Sequence, residues 1–306
     1  MSPPEKSNCC ATLMTKPNTT RPATACGPGT TDLRLGCEPA RRIIIRFLQD
    51  GLHRHGFQRA VIGLSGGLDS SLVVFLAADA LGAENVLAVA MPASASDPAS
   101  LAGAESVAAA TGVSLETIPI SPMANPYLKS LPAHARVRAG NVLARLRMVV
   151  LYDLSARQEA LVVGTSNKTE LLLGYTTQFG DSACALMPMG DLYKTQVRQL
   201  ARHMGVPEEI IRRPPSADLW ADQTDEQELG FTYDQVDRLL FRMVDERIDP
   251  DRLLMEGFDP SLIRRVRDMV RRSHYKRRTP PIAKISHRTI GIDFRYPRDW
   301  DSWAGD

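Results

Sequence analysis

The sequence has no apolar run approaching the ~18 residues needed to cross a bilayer. Its most hydrophobic stretch is broken by Asp79. No apolar block occurs in the first 30 residues, so a secretory leader is not expected. Nor is there a surplus of charge. Lys plus Arg number 37 against 35 Asp plus Glu, a net charge of +2. That balance argues against a nucleic-acid coat or a cationic membrane binder. The 5 cysteines contain no CxxC pair, and Cys9, Cys10, Cys26 and Cys37 crowd the start of the chain among Pro, Thr and Gly. Disulfide frameworks belong to small secreted domains, and a structural zinc site asks for paired ligand spacing. The pattern reads as free thiols in a reducing, cytoplasmic protein. What is present is 306 residues, 43% of them hydrophobic, enough for one large domain or two small ones with a full core.

Residues 1–37 hold many turn-formers and few apolar residues and read as a mobile extension. A packed helix is expected from about Glu38 to Gly51 or Gly56. An alternation follows: strand 60–64, helix 70–81, strand 86–90, helix 98–111, strand 115–120. A proline-bearing linker (Pro119, Pro122, Pro126, Pro132) leads to helix 141–157, strand 160–163 and helix 191–204. Continuous apolar strands alternating with helices predict a doubly wound parallel α/β sheet covered on both faces. The last third lacks a convincing buried strand. It carries charged helices at 233–247 and 260–272, read as a helical appendage, with 291–306 as a tail. The basic run 264–278 reads as a helix flanking an anionic site or a solvated face, and nucleic acid is not expected.

The most informative segment is Ser65-Gly66-Gly67-Leu68-Asp69-Ser70-Ser71. It follows a buried strand and opens a helix, where free N–H groups and the positive end of the helix dipole favour an oxyanion. Paired glycines let the backbone wrap closely round a phosphate, and three serines add donors. Asp69 would repel a bare phosphate, so it makes sense as the holder of a divalent cation. The bland alternative is a tight strand–helix turn capped by serine. The string is neither GxxxxGKS/T nor GxGxxG.

This SGGxDSS loop resembles the pyrophosphate loop of the ATP pyrophosphatases, which activate a carboxylate or carbonyl as an adenylate. Later segments narrow the resemblance. Residues 140–148 (GNVLARLRM), 163–170 (VGTSNKTE), 174–181 (GYTTQFGD), 188–197 (PMGDLYKTQV) and 215–230 (PSADL, then Gln223, Asp225, Glu226 and Gly230) are similar, in order, to the motifs of NAD synthetases. The likeness runs from about residue 40 to 285.

That resemblance implies an adenine-nucleotide α-hydrolase-like fold over residues 38–290. It implies ATP-dependent amidation of the nicotinate carboxylate of deamido-NAD by ammonia, with AMP and pyrophosphate released. Carried over by motif, Asp69 and Glu170 would hold magnesium, with Asp69 and Lys194 catalytic. Gly63, Leu64, Ser65, Gly66, Gly67, Leu68, Asp69, Ser70 and Ser71 would cradle the departing pyrophosphate. Thr165, Lys194 and Ser216 would contact ATP. Arg145, Gln178, Ala185, Tyr275 and Lys276 would stand on the dinucleotide side. The family's homodimer is expected by the same resemblance.

Three positions depart from the family pattern. Gln178 replaces a Lys, Ala185 an Asp, and Tyr275 the His of His-Lys-Arg. The ATP side is intact while the substrate side has changed. The alternative is therefore a repurposed ligase amidating another carboxylate. Further alternatives are a paralogue that binds ATP without turnover and a tRNA-directed relative, for whose thiolation chemistry only Cys184 is a candidate. Residues 1–37 are too short for the nitrilase-like domain of glutamine-dependent relatives, so free ammonia, or ammonia from a separate glutaminase, is expected.

Overall fold

The structure, a computed structural model, describes residues 33–293 apart from 95, 133, 217–219 and 221–223. Four parallel strands form the sheet: β1 (Arg59–Gly63), β2 (Val86–Ala90), β3 (Ser114–Thr117) and β4 (Ala160–Val162). Their order is β3-β2-β1-β4, with Ala60 opposite Val86 on one side and opposite Leu161 on the other. The chain winds outward from β1 to β3 and then returns to the far side of β1. The strand order therefore reverses between β1 and β4, and the crevice beyond their carboxyl ends is where open α/β sheets take ligands.

The helices are α1 (Cys37–His53), α2 (Leu68–Leu81), α3 (Pro98–Thr111), α4 (Ser121–Leu128), α5 (Arg136–Arg157) and α6 (Lys168–Leu173). They continue with α7 (Lys194–Met204), α8 (Glu208–Arg212), α9 (Asp225–Leu229), α10 (Tyr233–Leu240), α11 (Pro250–Met255) and α12 (Pro260–Arg272). Local signals set several boundaries. Asp97 caps α3 by accepting the Ala99 N–H, with Pro98 at the first helical position. Gly205 ends α7 in the left-handed conformation.

Three apolar clusters cover the layers. One face of the sheet packs on α1, α2 and α7 through Leu48, Ile62, Leu72 and Leu200. The other packs on α4 and α5 through Val61, Ile120, Leu143 and Leu154. The C-terminal helices form a third cluster around Tyr193, Tyr233, Val236 and Val266, the appendage expected from the sequence.

The structure departs from the sequence reading at several places, among them the helix expected from 191, which starts at Lys194. The proline-bearing linker contains α4: Pro122 falls in the first turn, where its missing N–H costs nothing, and this two-turn helix also carries Pro126 in its second turn. The helix expected from 141 starts at Arg136, since Ala and Arg before Gly140 are good helix formers. The helix expected to run from 233 to 247 ends at Leu240 and continues as a single π-turn, Phe241–Asp245. The chain is already engaged before Glu38: Leu35 donates its N–H to Gln199 Oε1 at 3.0 Å, and Leu35 and Cys37 pack on the core. Cys9, Cys10 and Cys26, and with them residues 1–32 of the extension expected over 1–37 and residues 294–306 of the tail expected over 291–306, lie outside the described residues. No helix among the described residues is long and apolar enough to cross a membrane.

Candidate active site

The loop between β1 and α2 is held by its own serines. Ser65 Oγ accepts the Gly67 N–H at 3.2 Å, and Ser70 Oγ accepts the Ser65 N–H at 3.2 Å. The Ser70 and Ser71 hydroxyls donate to the Gly67 carbonyl at 3.1 and 2.7 Å. Gly66 sits at φ +72°, and a Cβ there would lie 2.0 Å from the Ser100 carbonyl oxygen. No other residue fits against α3 so closely. Arg213, which the sequence reading passed over, reaches across from the end of α8. It donates to the Gly66 carbonyl at 3.5 Å and the Ala99 carbonyl at 2.9 Å. Gly63 and Leu64 run into this loop from β1, and Leu68 is buried at the first position of α2.

Beyond β4 the chain makes a second short turn through Thr165 into α6. Asn167 caps that helix: its carbonyl accepts the Glu170 N–H at 3.0 Å, and Glu170 returns a bond to the Asn167 N–H at 3.3 Å. The Asn167 amide also donates to Asp69 Oδ1 at 2.9 Å. The two loops are thereby joined across the β1–β4 crevice.

Lys194, the first residue of α7, completes the group. Its ammonium pairs with Asp69 and lies 3.4 Å from Glu170. Lys194 is 3% exposed, whereas Asp69 and Glu170 keep 18% and 16% of their side chains open to solvent. Asp225 at the start of α9 lies behind them, buried, accepting the Tyr233 hydroxyl at 3.1 Å. Burial and the Asp69 charge push the Glu170 carboxyl up to about 8. Burial opposes the charge of Lys194, but Asp69 and Glu170 outweigh it and raise the ammonium above its usual value. Burial raises Asp225 as well.

Among the described residues no group of three or more His, Cys, Asp or Glu is placed to hold a metal ion by itself. The donor set nonetheless suits magnesium bound together with a phosphate substrate, which takes one or two carboxylates and keeps its remaining positions for water and phosphate oxygens. Three carboxylates surround a single ammonium. The crowding of these carboxyls, which pushes Glu170 up, is what a divalent cation would relieve.

Of the residues expected on the substrate side, Gln178 lies in the loop 174–181, and Arg145 and Lys276 bond to it. Arg145 on α5 donates to the Gln178 backbone carbonyl at 3.3 Å. It also lines a shallow recess of about 190 Å³ with Tyr127, Arg138 and Asn141. Lys276 donates to the Gly174 and Thr176 carbonyls at 2.8 and 2.7 Å, so it shapes this loop. Tyr275 beside it is 60% exposed. Ala185 donates its N–H to the Val162 carbonyl at the sheet edge. Ser216 is exposed. Ala217, Asp218, Leu219 and Gln223 of the same motif lie outside the described residues.

A phosphate-type loop and a pair of carboxylates at the reversal point of a parallel sheet define an adenine-nucleotide α-hydrolase-like α/β protein. The chain belongs to the NAD synthase family: the model of that family matches residues 41–280. It is 54% identical over 268 residues to the NH3-dependent NAD+ synthetase of Trichlorobacter lovleyi, covering 88% of this chain and 98% of that protein. Among solved structures it resembles the NH3-dependent NAD synthetase of Campylobacter jejuni in complex with nitrate. That match has a TM-score of 0.70 and 34% identity, covering 82% of this chain and all (100%) of the other. It also resembles an NMN synthetase from Francisella tularensis, with a TM-score of 0.72 and 30% identity over 82% of this chain and 100% of that one.

Sequence reasoning singled out Asp69, Glu170 and Lys194, and the fold brings them into contact. It missed the parts played by Asn167, Asp225, Tyr233 and Arg213. Asn167 had a readable signal, the N-x-x-E pattern of a capping box before α6. Asp225 stood inside a quoted motif without an assigned partner.

Proposed function

We infer that the chain catalyses the ATP-dependent amidation of deamido-NAD by ammonia. The observation that carries this reading is the meeting of Asp69, Glu170 and Lys194 beside the Ser65–Ser71 loop at the strand-order reversal. A nicotinate oxygen attacks the α-phosphorus of ATP, forming the acyl adenylate as pyrophosphate leaves. The ammonia nitrogen then attacks the acyl carbon, AMP departs, and a proton is lost to give the amide.

The two reactants are both anionic, so the protein's work is neutralisation and alignment. Magnesium, when bound, would offset the charge of the triphosphate, and Asp69 and Glu170 are the residues to hold it. Lys194, at the start of α7 beside them, is the residue to set its ammonium on the phosphates. Gly63, Leu64, Ser65, Gly66, Gly67, Leu68, Ser70 and Ser71 receive the departing pyrophosphate. Thr165 and Ser216 border the nucleotide. Arg145, Gln178, Ala185, Tyr275 and Lys276 form the substrate side, with Lys276 acting through the loop it holds. We assign the chain to a cytoplasmic homodimer fed by free ammonia or by a separate glutaminase.

The alternative of a repurposed ligase is not favoured, because likeness to ammonia-dependent NAD synthetases spans nearly the whole of those relatives. The resemblance to an NMN synthetase nevertheless names a competitor to measure. With ATP, magnesium and ammonia fixed, kcat/KM for deamido-NAD is expected to exceed that for nicotinate mononucleotide. The reverse preference would reassign the substrate.

A further inference from the structure

The helix that presents Lys194 is capped from within only at Tyr193, whose N–H donates to Gln196 Oε1 at 3.0 Å. Tyr193 stands at the N-cap position of α7 and supplies no side-chain acceptor to the first turn. A helix start leaves N–H groups that must find partners elsewhere. Two partners come from other parts of the fold. The Lys194 N–H donates to Thr169 Oγ1 at 3.0 Å, and the Thr195 N–H donates to Asp237 Oδ2 at 2.8 Å. The Thr169 hydroxyl gives its single proton to Asp237 Oδ1 at 2.6 Å. The relay therefore has one direction, from the α7 backbone through Thr169 to the carboxylate.

Asp237 is 0% exposed and lies on the buried face of α10 with Tyr233, Val236 and Leu240. Packing alone would place an apolar residue there. A carboxylate is tolerated in such a place only when its oxygens are engaged, and each oxygen of Asp237 takes a strong donor. Thr169 immediately precedes Glu170, so a single carboxylate restrains the first turns of both α6 and α7. The same helix supports Lys194 at its other end, where the Tyr233 ring lies 5.2 Å from the ammonium.

We propose that Asp237, from the C-terminal helical layer, is the positioning residue that sets Lys194 and Glu170 for ATP, acting through Thr169. The C-terminal layer is then part of the catalytic apparatus, although it contributes no group to the reacting atoms. The inference rests on the function proposed above and deepens it.

The test compares Thr169→Val, which keeps shape and removes the hydroxyl, with Thr169→Ser, which restores it, and with Asp237→Asn. Calorimetry of magnesium–ATP binding needs no second substrate, so it reads the relay even if deamido-NAD proves to be the wrong carboxylate. Loss of a supporting partner behind a site typically costs ~10–100-fold. Thr169→Val and Asp237→Asn are expected to lose that much in ATP affinity or in kcat, while KM for deamido-NAD, whose residues sit on α5 and the 174–181 loop, stays within ~3-fold. Thr169→Ser is expected to recover both. Wild-type ATP affinity and kcat in folded Thr169→Val overturn the proposal. So does an equal loss in Thr169→Ser, or failure of both severing variants to fold, which would make the relay a stability element alone.

Discussion

The Asn167 side-chain amide donates to Asp69 Oδ1 at 2.9 Å while its carbonyl caps the helix that carries Glu170. A single buried side chain thus ties both proposed magnesium carboxylates to one frame. Asn167→Ser keeps an N-cap oxygen but removes the donor to Asp69. Its kcat/KM for ATP is expected to fall ~10–100-fold, with a stability loss near ~1 kcal/mol from the small void. Steady-state kinetics beside a thermal melt reads both. Unchanged kcat/KM would show that Asp69 needs no such support.

The crowding of carboxylates predicts a pH dependence with a definite sign. Glu170 holds its proton up to about pH 8, against an ordinary value of 4.5. Between these limits the folded chain binds a proton that the unfolded chain releases, so stability falls as pH rises through the window. Burial raises Asp225 and Asp237 in the same sense. Without magnesium or nucleotide, Tm is expected to decline between about pH 5 and about pH 8. Glu170→Gln, which cannot titrate, is expected to flatten that decline. An identical slope in the variant would place the proton elsewhere.

Arg145 is joined to the Gln178 main chain, since the acceptor is the backbone carbonyl. This anchor of the loop therefore does not depend on the side chain at 178. The Gln178→Lys/Ala185→Asp double variant is expected to change kcat/KM for deamido-NAD by less than ~10-fold, the equivalent of ~1.4 kcal/mol. A larger gain would mean that the native pocket is built for another carboxylate.

Cys184 is half-buried against Gly164, where an added Cβ would lie 2.5 Å from its sulfur. Burial pushes its thiol up to about 11. Little thiolate exists near neutral pH, so it is a poor nucleophile. Alkylation of the native chain at neutral pH, followed by peptide mass spectrometry, is expected to leave Cys184 largely unmodified, and Cys184→Ala to leave the amidation rate unchanged. Rapid labelling with loss of turnover would return sulfur-transfer chemistry to consideration.

Much of this architecture was legible in the sequence because its signals are local. Strand 86–90 and helices 98–111 and 260–272 announce themselves through continuous apolar character, Asp-Pro starts and a terminal glycine. Asp69, Glu170 and Lys194 were readable because the loop string and its companion motifs carry them in order. Asp237 was not, since a charged residue in a charged helix looks solvated. Only the packing of α10 onto α6 and α7 turns it inward. Helix α4 was hidden for the opposite reason: prolines usually mark a linker, yet this short helix holds Pro122 in its first turn and Pro126 further in.

The central claim is that this site adenylates and amidates deamido-NAD. Its most direct test incubates the purified chain with ATP, magnesium, ammonia and deamido-NAD and quantifies NAD, AMP and pyrophosphate together. The account predicts one NAD formed for each AMP and each pyrophosphate, and none of the three with Asp69→Ala. ATP bound but no NAD formed, or cleavage of ATP retained in Asp69→Ala, would contradict it.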